Sequence, residues 1–160
     1  MKAFKLKAPI QEWADRGLFT IVDGPSIDPR LLVEKLNEWS REYQIELVCA
    51  DGFRMDLLKP LLEEAGFDYE FLRNPGAIQS KVAPIIEDGF ANERFVFEGD
   101  NSMIWYTDNT YVKEDKDGNK RFLKKESVRR KTDGFHALIA ALYKRELVQE
   151  SNFGEFLDRS

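Results

Sequence analysis

Apolar and polar positions switch between two periods along this chain, and the switches mark its elements. The stretch Gln44-Ile45-Glu46-Leu47-Val48-Cys49-Ala50-Asp51 is a short apolar run that ends in a carboxylate and is followed by Gly52. It is too short for a stable helix and reads as a buried strand. Before it, Leu32, Val33, Leu36, Trp39 and Tyr43 recur at three- and four-residue spacings, the stripe of an amphipathic helix within residues 27–43. Asp28-Pro29 suits its start, with Asp28 as N-cap and Pro29 at the first helical position. After it, Met55, Leu57, Leu58, Leu61 and Leu62 predict a second helix over residues 53–65, kinked or delayed by Pro60 and capped by Gly66. A strand framed by helices implies parallel neighbours and an α/β sheet covered on both faces. In such sheets the chemistry gathers at the carboxyl ends of the strands, where Asp51 sits.

The remaining pattern is more broken. Pro9 opens a short helix through Trp13 to about Arg16, ended by Gly17, and Leu18 to Val22 reads as a strand stopped by Asp23-Gly24-Pro25. Tyr69 to Leu72 predicts the next strand, which Asn74-Pro75-Gly76 breaks. Ile78 to Glu87 reads as a helix, Phe95-Val96-Phe97 as a short strand or extended piece, and Asn101 to Asn109 as a helix. Thr110-Tyr111-Val112 leads into a charged hairpin with Asp117-Gly118 at its turn, returning through Arg121-Phe122-Leu123. The last helix is expected from Gly134 to Val148, with Phe135, Leu138, Ile139, Leu142 and Tyr143 on one face. Residues 1–8 form no convincing element, and the tail after Glu150 is polar.

Length and composition narrow the class. A chain of 160 residues is one domain by length, with its core expected between about residues 8 and 150. The single cysteine excludes an internal disulfide and suits a reducing compartment. Inside an apolar run, Cys49 is better read as a packed core thiol than as a nucleophile. No apolar run approaches the roughly 18 residues that span a bilayer, and no signal-peptide core follows Met1-Lys2-Ala3-Phe4-Lys5. The net charge of −5 argues against a protein built wholly to coat nucleic acid, yet allows a local basic face.

Asp51 and Asp133 form the strongest candidate pair: one ends a central strand and the other begins the terminal helix. Carboxylates converging at a sheet edge suit hard cations such as Mg²⁺ or Mn²⁺, which take oxygen ligands, water and substrate phosphate. Spacing alone also suits blander roles, a helix cap for Asp133 and a solvated strand end for Asp51. Directly before Asp133, Lys124, Lys125, Arg129, Arg130 and Lys131 make a basic run that could attract phosphates without reading sequence, or be a solvated face. Asp115-Lys116-Asp117-Gly118 imitates part of a calcium-binding loop, but Lys113 and Lys124 fall where the first and twelfth ligands belong. His136 is the only histidine, so no histidine metal cluster or obvious triad is encoded, and no phosphate loop is present.

The order of the motifs adds a family. Ile10-Gln11-Glu12-Trp13, then Gly17-Leu18-Phe19-Thr20-Ile21-Val22-Asp23-Gly24, Ile45 to Asp51, Leu61 to Phe67, Trp105 to Asn109, Asp117-Gly118-Asn119 and Lys131-Thr132-Asp133-Gly134-Phe135 with Ala137 to Leu142 follow one another. So ordered, the chain resembles the nuclease domain of the large terminase subunit of tailed bacteriophages, over about residues 8–145. The resemblance implies a ribonuclease H-like mixed sheet flanked by helices, in which carboxylates hold two Mg²⁺ or Mn²⁺ ions for phosphodiester hydrolysis. It implies Asp51 as the acid of the central strand and Asp133 as the acid of the last helix. It also implies double-stranded DNA as substrate, the terminase small subunit and portal as partners of the intact protein, and the cytoplasm of a bacterial host as location.

Two departures qualify it. The family's first catalytic aspartate lies on an opening strand upstream of the tryptophan motif, and Asp15, Asp23 and Asp28 do not match its context. Phe97-Glu98-Gly99-Asp100-Asn101 stands where the family tends to have a His-Gly-Gly-Asn-Pro type run. The expectation is therefore a fragment that lacks the opening strand or strands, weak or inactive alone, from a parent that cuts concatemeric DNA during genome packaging. Rival expectations are a prophage remnant that only binds DNA or packaging proteins, and a different ribonuclease H-like nuclease such as a resolvase or integrase relative.

Overall fold

The computed structural model describes residues 6, 8–126 and 129–148. In chain order the elements are α1 (Ile10–Asp15), α2 (Arg30–Trp39), β1 (Val48–Asp51), α3 (Met55–Ala65), β2 (Tyr69–Leu72), α4 (Pro75–Ala91), α5 (Asn101–Asp108), β3 (Thr110–Glu114), β4 (Lys120–Lys124) and α6 (Asp133–Tyr143). They gather into two compact units, Met1–Ile21 with Asn74–Tyr143, and Val22–Arg73 with Lys144–Ser160.

In the unit containing β1, the strand pairs in parallel with β2, Val48 opposite Tyr69 and Asp51 opposite Leu72. Helix α2 starts as its sequence predicts. Pro29 already has helical dihedrals, with φ −61° and ψ −19°, so it stands at the first helical position. The Asp28 carboxylate accepts from the Arg30 backbone N–H at 2.9 Å. Val33 and Leu36 of α2 and Leu62 of α3 form the core, with Ile45, Val48, Leu58, Phe67 and Tyr69 packed around it. Leu62 is wholly buried, a side chain whose removal from water stabilises by about 2–3 kcal/mol. Pro60 lies inside α3 without delaying its start, and the helix ends at Gly66 with φ 77°.

In the other unit, α4 is the backbone of the core. Ile78, Val82, Ala83 and Ile86 lie buried on one side of it, and α6 and β4 pack against it with Phe135, Ile139 and Phe122. The rings of Phe122 and Phe135 lie 5.3 Å apart. Strands β3 and β4 form an antiparallel hairpin, Thr110 opposite Lys124 and Glu114 opposite Lys120. Its turn is organised by Asp115, whose Oδ1 accepts from the backbone N–H groups of Asp117 and Asn119, both at 2.9 Å. The carboxylate that imitates a calcium ligand is thus a turn residue.

Four expectations are corrected. Leu18–Val22 forms no strand; Phe19 instead packs its ring 5.3 Å from Trp13. Phe95–Phe97 takes the extended alternative of its expectation: Phe95 meets Phe90 edge to face, stacks with Phe97 and fills the space over Gly89. Helix α4 starts at Pro75, earlier than residue 78, since Asn74 accepts from the Ala77 N–H and caps it. Helix α6 ends at Tyr143, and a turn at Lys144-Arg145 interrupts the run to Val148. Among the described residues, the strands form two separate two-stranded sheets rather than one mixed sheet.

Candidate functional site

Asp51 is the last residue of β1 and is exposed. Its Oδ1 accepts from the Phe53 N–H at 2.9 Å, a tight turn that delivers the chain into α3 through Arg54 in the left-handed region, φ 57°. Oδ2 has no hydrogen bond among the described residues. Asp133 stands in the first turn of α6, also exposed. The cap of that helix is Thr132, whose carbonyl accepts from the His136 N–H at 3.0 Å. The His136 ring Nδ1 lies 3.0 Å from the same oxygen, which makes the lone histidine a structural residue rather than a ligand. The two aspartates belong to different compact units. Among the described residues no group of three or more His, Cys, Asp or Glu side chains is placed to hold a metal ion. Two exposed carboxylates do supply the hard oxygen donors that Mg²⁺ and Mn²⁺ prefer.

Around Asp133 the structure assembles more than spacing revealed. The Tyr106 ring lies against Gly134, where a Cβ would collide with it. Burial pushes the Tyr106 phenol above its ordinary range, and the charges of Asp133 and Asp100 push the same way. Asp100 also caps α5, accepting from the Ser102 and Met103 N–H groups at 2.9 and 3.2 Å. Trp105 and Tyr106 continue into an aromatic cluster with Trp13 and Phe19. The Trp13 motif and the Trp105–Asn109 motif are therefore two halves of one packed feature.

Asn109 holds the basic segment in place. It is wholly buried. Its Nδ2 donates to the Lys131 carbonyl at 2.9 Å, its Oδ1 accepts from the Arg130 guanidinium at 3.2 Å, and its own carbonyl accepts from the Lys125 N–H at 2.8 Å. Both ends of the basic run are thereby tied to the end of α5, immediately before Asp133. Lys124, Lys125 and Arg129 are exposed, while Arg130 and Lys131 are half-buried. Arg129 and Arg130 share Glu126, at 3.1 and 3.8 Å. Ser127 and Val128 of the run lie outside the described residues.

Charge is divided unequally. The unit carrying this segment has 15 Lys/Arg against 13 Asp/Glu, and the unit carrying Asp51 has 9 against 16. The overall −5 is therefore the average of a slightly basic and a clearly acidic half. Asn109, Asp100, Tyr106 and Gly134 were missed as site residues in the sequence. Tyr106 and Asn109 lie in the Trp105–Asn109 motif and Gly134 beside Asp133, so the motifs marked their positions, whereas Asp100 stood only in the run that departs from the family pattern.

Cys49 is half-buried in β1. Burial raises its thiol above the usual range, Glu70 adds to the rise and Lys144 opposes it. It is not a poised nucleophile.

No protein-family model matches the sequence, and no curated protein matches it. A crystal structure of the HK97 bacteriophage large terminase does match, with a TM-score of 0.74 and 19% identity over 86% of this chain. The match covers 29% of that terminase, so this chain spans less than a third of its length. The likeness expected from the order of the motifs, to part of a phage large terminase, is found at the level of the fold. Among the described residues, no helix is long and apolar enough to cross a membrane.

Proposed function

We propose that this chain is part of a terminase-type nuclease of ribonuclease H-like architecture, whose parent cuts concatemeric double-stranded DNA during phage genome packaging. The observation that carries the reading is the basic segment pinned by Asn109, which leads directly into the exposed Asp133 within a terminase fold. Lys124, Lys125, Arg129, Arg130 and Lys131 would neutralise DNA phosphates and set register without reading bases. Asp51 and Asp133 would each offer carboxylate oxygens to Mg²⁺ or Mn²⁺. When bound, such ions supply charge neutralisation at the phosphate and acidify water. This chain's own contribution is to hold the two acids at rigid positions, one at a strand end and one in the first turn of a helix.

With two family acids present and the first one unmatched, the chain alone is expected to be weak or inactive in cleavage. The small subunit and portal remain expected partners of the intact parent in a bacterial cytoplasm. The test is calorimetric titration of Mn²⁺ into the chain, Asp51→Asn and Asp133→Asn, with plasmid cleavage and salt-dependent DNA binding run alongside. Metal binding weakened in either variant supports that carboxylate as a ligand. Robust plasmid nicking by this chain would overturn the expected inactivity. Salt-sensitive DNA binding with no metal binding at all would replace the nuclease reading with that of a DNA-binding module.

A further inference from the structure

The hydrogen-bond pattern of the hairpin fixes which backbone groups face outward. Asp115 N–H bonds the Asn119 carbonyl and Lys125 N–H bonds the Asn109 carbonyl. In an antiparallel ladder bonded pairs alternate with non-bonded pairs, so Tyr111–Leu123 and Lys113–Arg121 are the bonded pairs. Thr110, Val112 and Glu114 therefore turn their N–H and C=O groups away from β4, and Lys120, Phe122 and Lys124 turn theirs away from β3. The β4 edge is covered by α4. Ser80 Oγ accepts from the Lys120 N–H at 3.2 Å, and Gln79 Oε1 accepts from the Phe122 N–H at 2.8 Å. Among the described residues, nothing bonds the outward groups of Val112 and Glu114 on β3. That strand is exposed from Tyr111 to Glu114, with Tyr111 at 43% and Val112 at 45%. An open apolar edge is a template for another strand.

We propose that the β3 edge pairs with β3 of a second copy of this chain, antiparallel and centred on Val112. The sequence Thr110-Tyr111-Val112-Lys113-Glu114 is self-complementary in that register. Val112 faces its own symmetry mate through the two central hydrogen bonds, Thr110 faces the second copy's Glu114, and Lys113 faces the second copy's Tyr111, placing a cation beside an aromatic ring. The neighbouring register would set Lys113 against Lys113, a like-charge pair directly opposed. A shift the other way keeps fewer strand residues paired. The lysine that would ordinarily guard this edge thus selects one register instead of blocking all of them.

A five-residue strand pair is small beside a standard interface, so the dimer is a weak one. Sedimentation equilibrium on the whole chain up to roughly millimolar concentration tests it. The average mass should climb above the 18.6 kDa of the chain. Val112→Pro, which removes the central N–H at an edge position that tolerates proline, should hold it at the monomer value. Tyr111→Glu, opposite the second copy's Lys113, should tighten association and Tyr111→Lys should loosen it, each on the order of 2–10-fold. Far-ultraviolet circular dichroism checks that each variant keeps its fold. A mass of one chain at every concentration overturns the proposal, as does association indifferent to the residue at 111. Val112→Pro that weakens duplex DNA binding with no change in mass would assign the edge to DNA and overturn it equally.

Discussion

Replacing Asn109 by alanine tests the claim that one buried amide holds the basic segment. The substitution removes two side-chain hydrogen bonds, from Nδ2 to the Lys131 carbonyl and from the Arg130 guanidinium to Oδ1. Asn109 is fully buried and Lys131 half-buried, so the carbonyl left behind finds water poorly. An orphaned buried acceptor costs about 1–3 kcal/mol. The Arg130 bond adds less, because that guanidinium keeps Glu126 and reaches solvent. The third bond, from the Lys125 N–H to the Asn109 carbonyl, is main-chain and survives. The expected loss is about 2–3 kcal/mol. For a chain of this size that lowers Tm by roughly 5–10 °C.

Asn109→Asp separates the two bonds. It keeps an acceptor for Arg130 but turns a carboxylate oxygen toward the Lys131 carbonyl, so it should be no more stable than the alanine variant. Limited trypsin digestion reads the local effect, since Lys124, Lys125, Arg129 and Arg130 are cleavage sites inside the tethered segment. Cutting there should accelerate well beyond cutting at other lysines and arginines. Because the charge is unchanged in Asn109→Ala, DNA affinity should fall while its salt slope stays near the parent's. A Tm within 2 °C of the parent, with unchanged digestion at 124–131, would refute the tether.

Three further expectations follow from particular contacts. Gly134→Ala should cost about 1–3 kcal/mol of unfolding free energy in denaturant titration, because the new methyl group meets the Tyr106 ring, whereas Gly76→Ala should be nearly silent, since only the mobile end of Arg121 must move. Asp115 is held below the usual carboxylate range by the Asn119 backbone and side-chain bonds. Its stabilisation of the turn should therefore be present above about pH 3.9 and fade as pH falls through the lowered folded-state value, read as loss of amide-exchange protection at Asp117 and Asn119. Cys49, with its thiol pushed up by burial, should react with iodoacetamide at pH 8 more slowly than the same cysteine in the urea-unfolded chain.

The helices were legible where apolar spacing coincided with a cap. Asp28-Pro29 and Gly66 marked real helix ends because each acts through a local conformation that sequence dictates. Asn74-Pro75 ends β2 as expected and also caps α4 with proline at the first position, a second role that only the chain beyond it decides. The lost strand at Leu18–Val22 and the unpaired piece at Phe95–Phe97 share a cause. Apolar spacing at Leu18–Val22 and Phe95–Phe97 records that side chains are buried, not that a neighbouring edge is available to bond. Phe19 and Phe95 satisfy the pattern by packing on rings instead.

The site divides along the same line. The strand-end position of Asp51 and the helix-start position of Asp133 could be read from the sequence because both are local features. The groups that give Asp133 its surroundings are not local. Asn109 reaches Lys131 across 22 positions, and Tyr106 meets Gly134 only once α5 and α6 pack together. Net charge left room for a local basic face but could not show how unequally the two units share the charge. What binds phosphate is the local field over a Debye length of about 8–10 Å, so the segment from Lys124 to Lys131 outweighs carboxylates elsewhere in the chain. That makes the salt slope the informative quantity: neutralising Lys124 or Lys125 should reduce it by about 0.9 each.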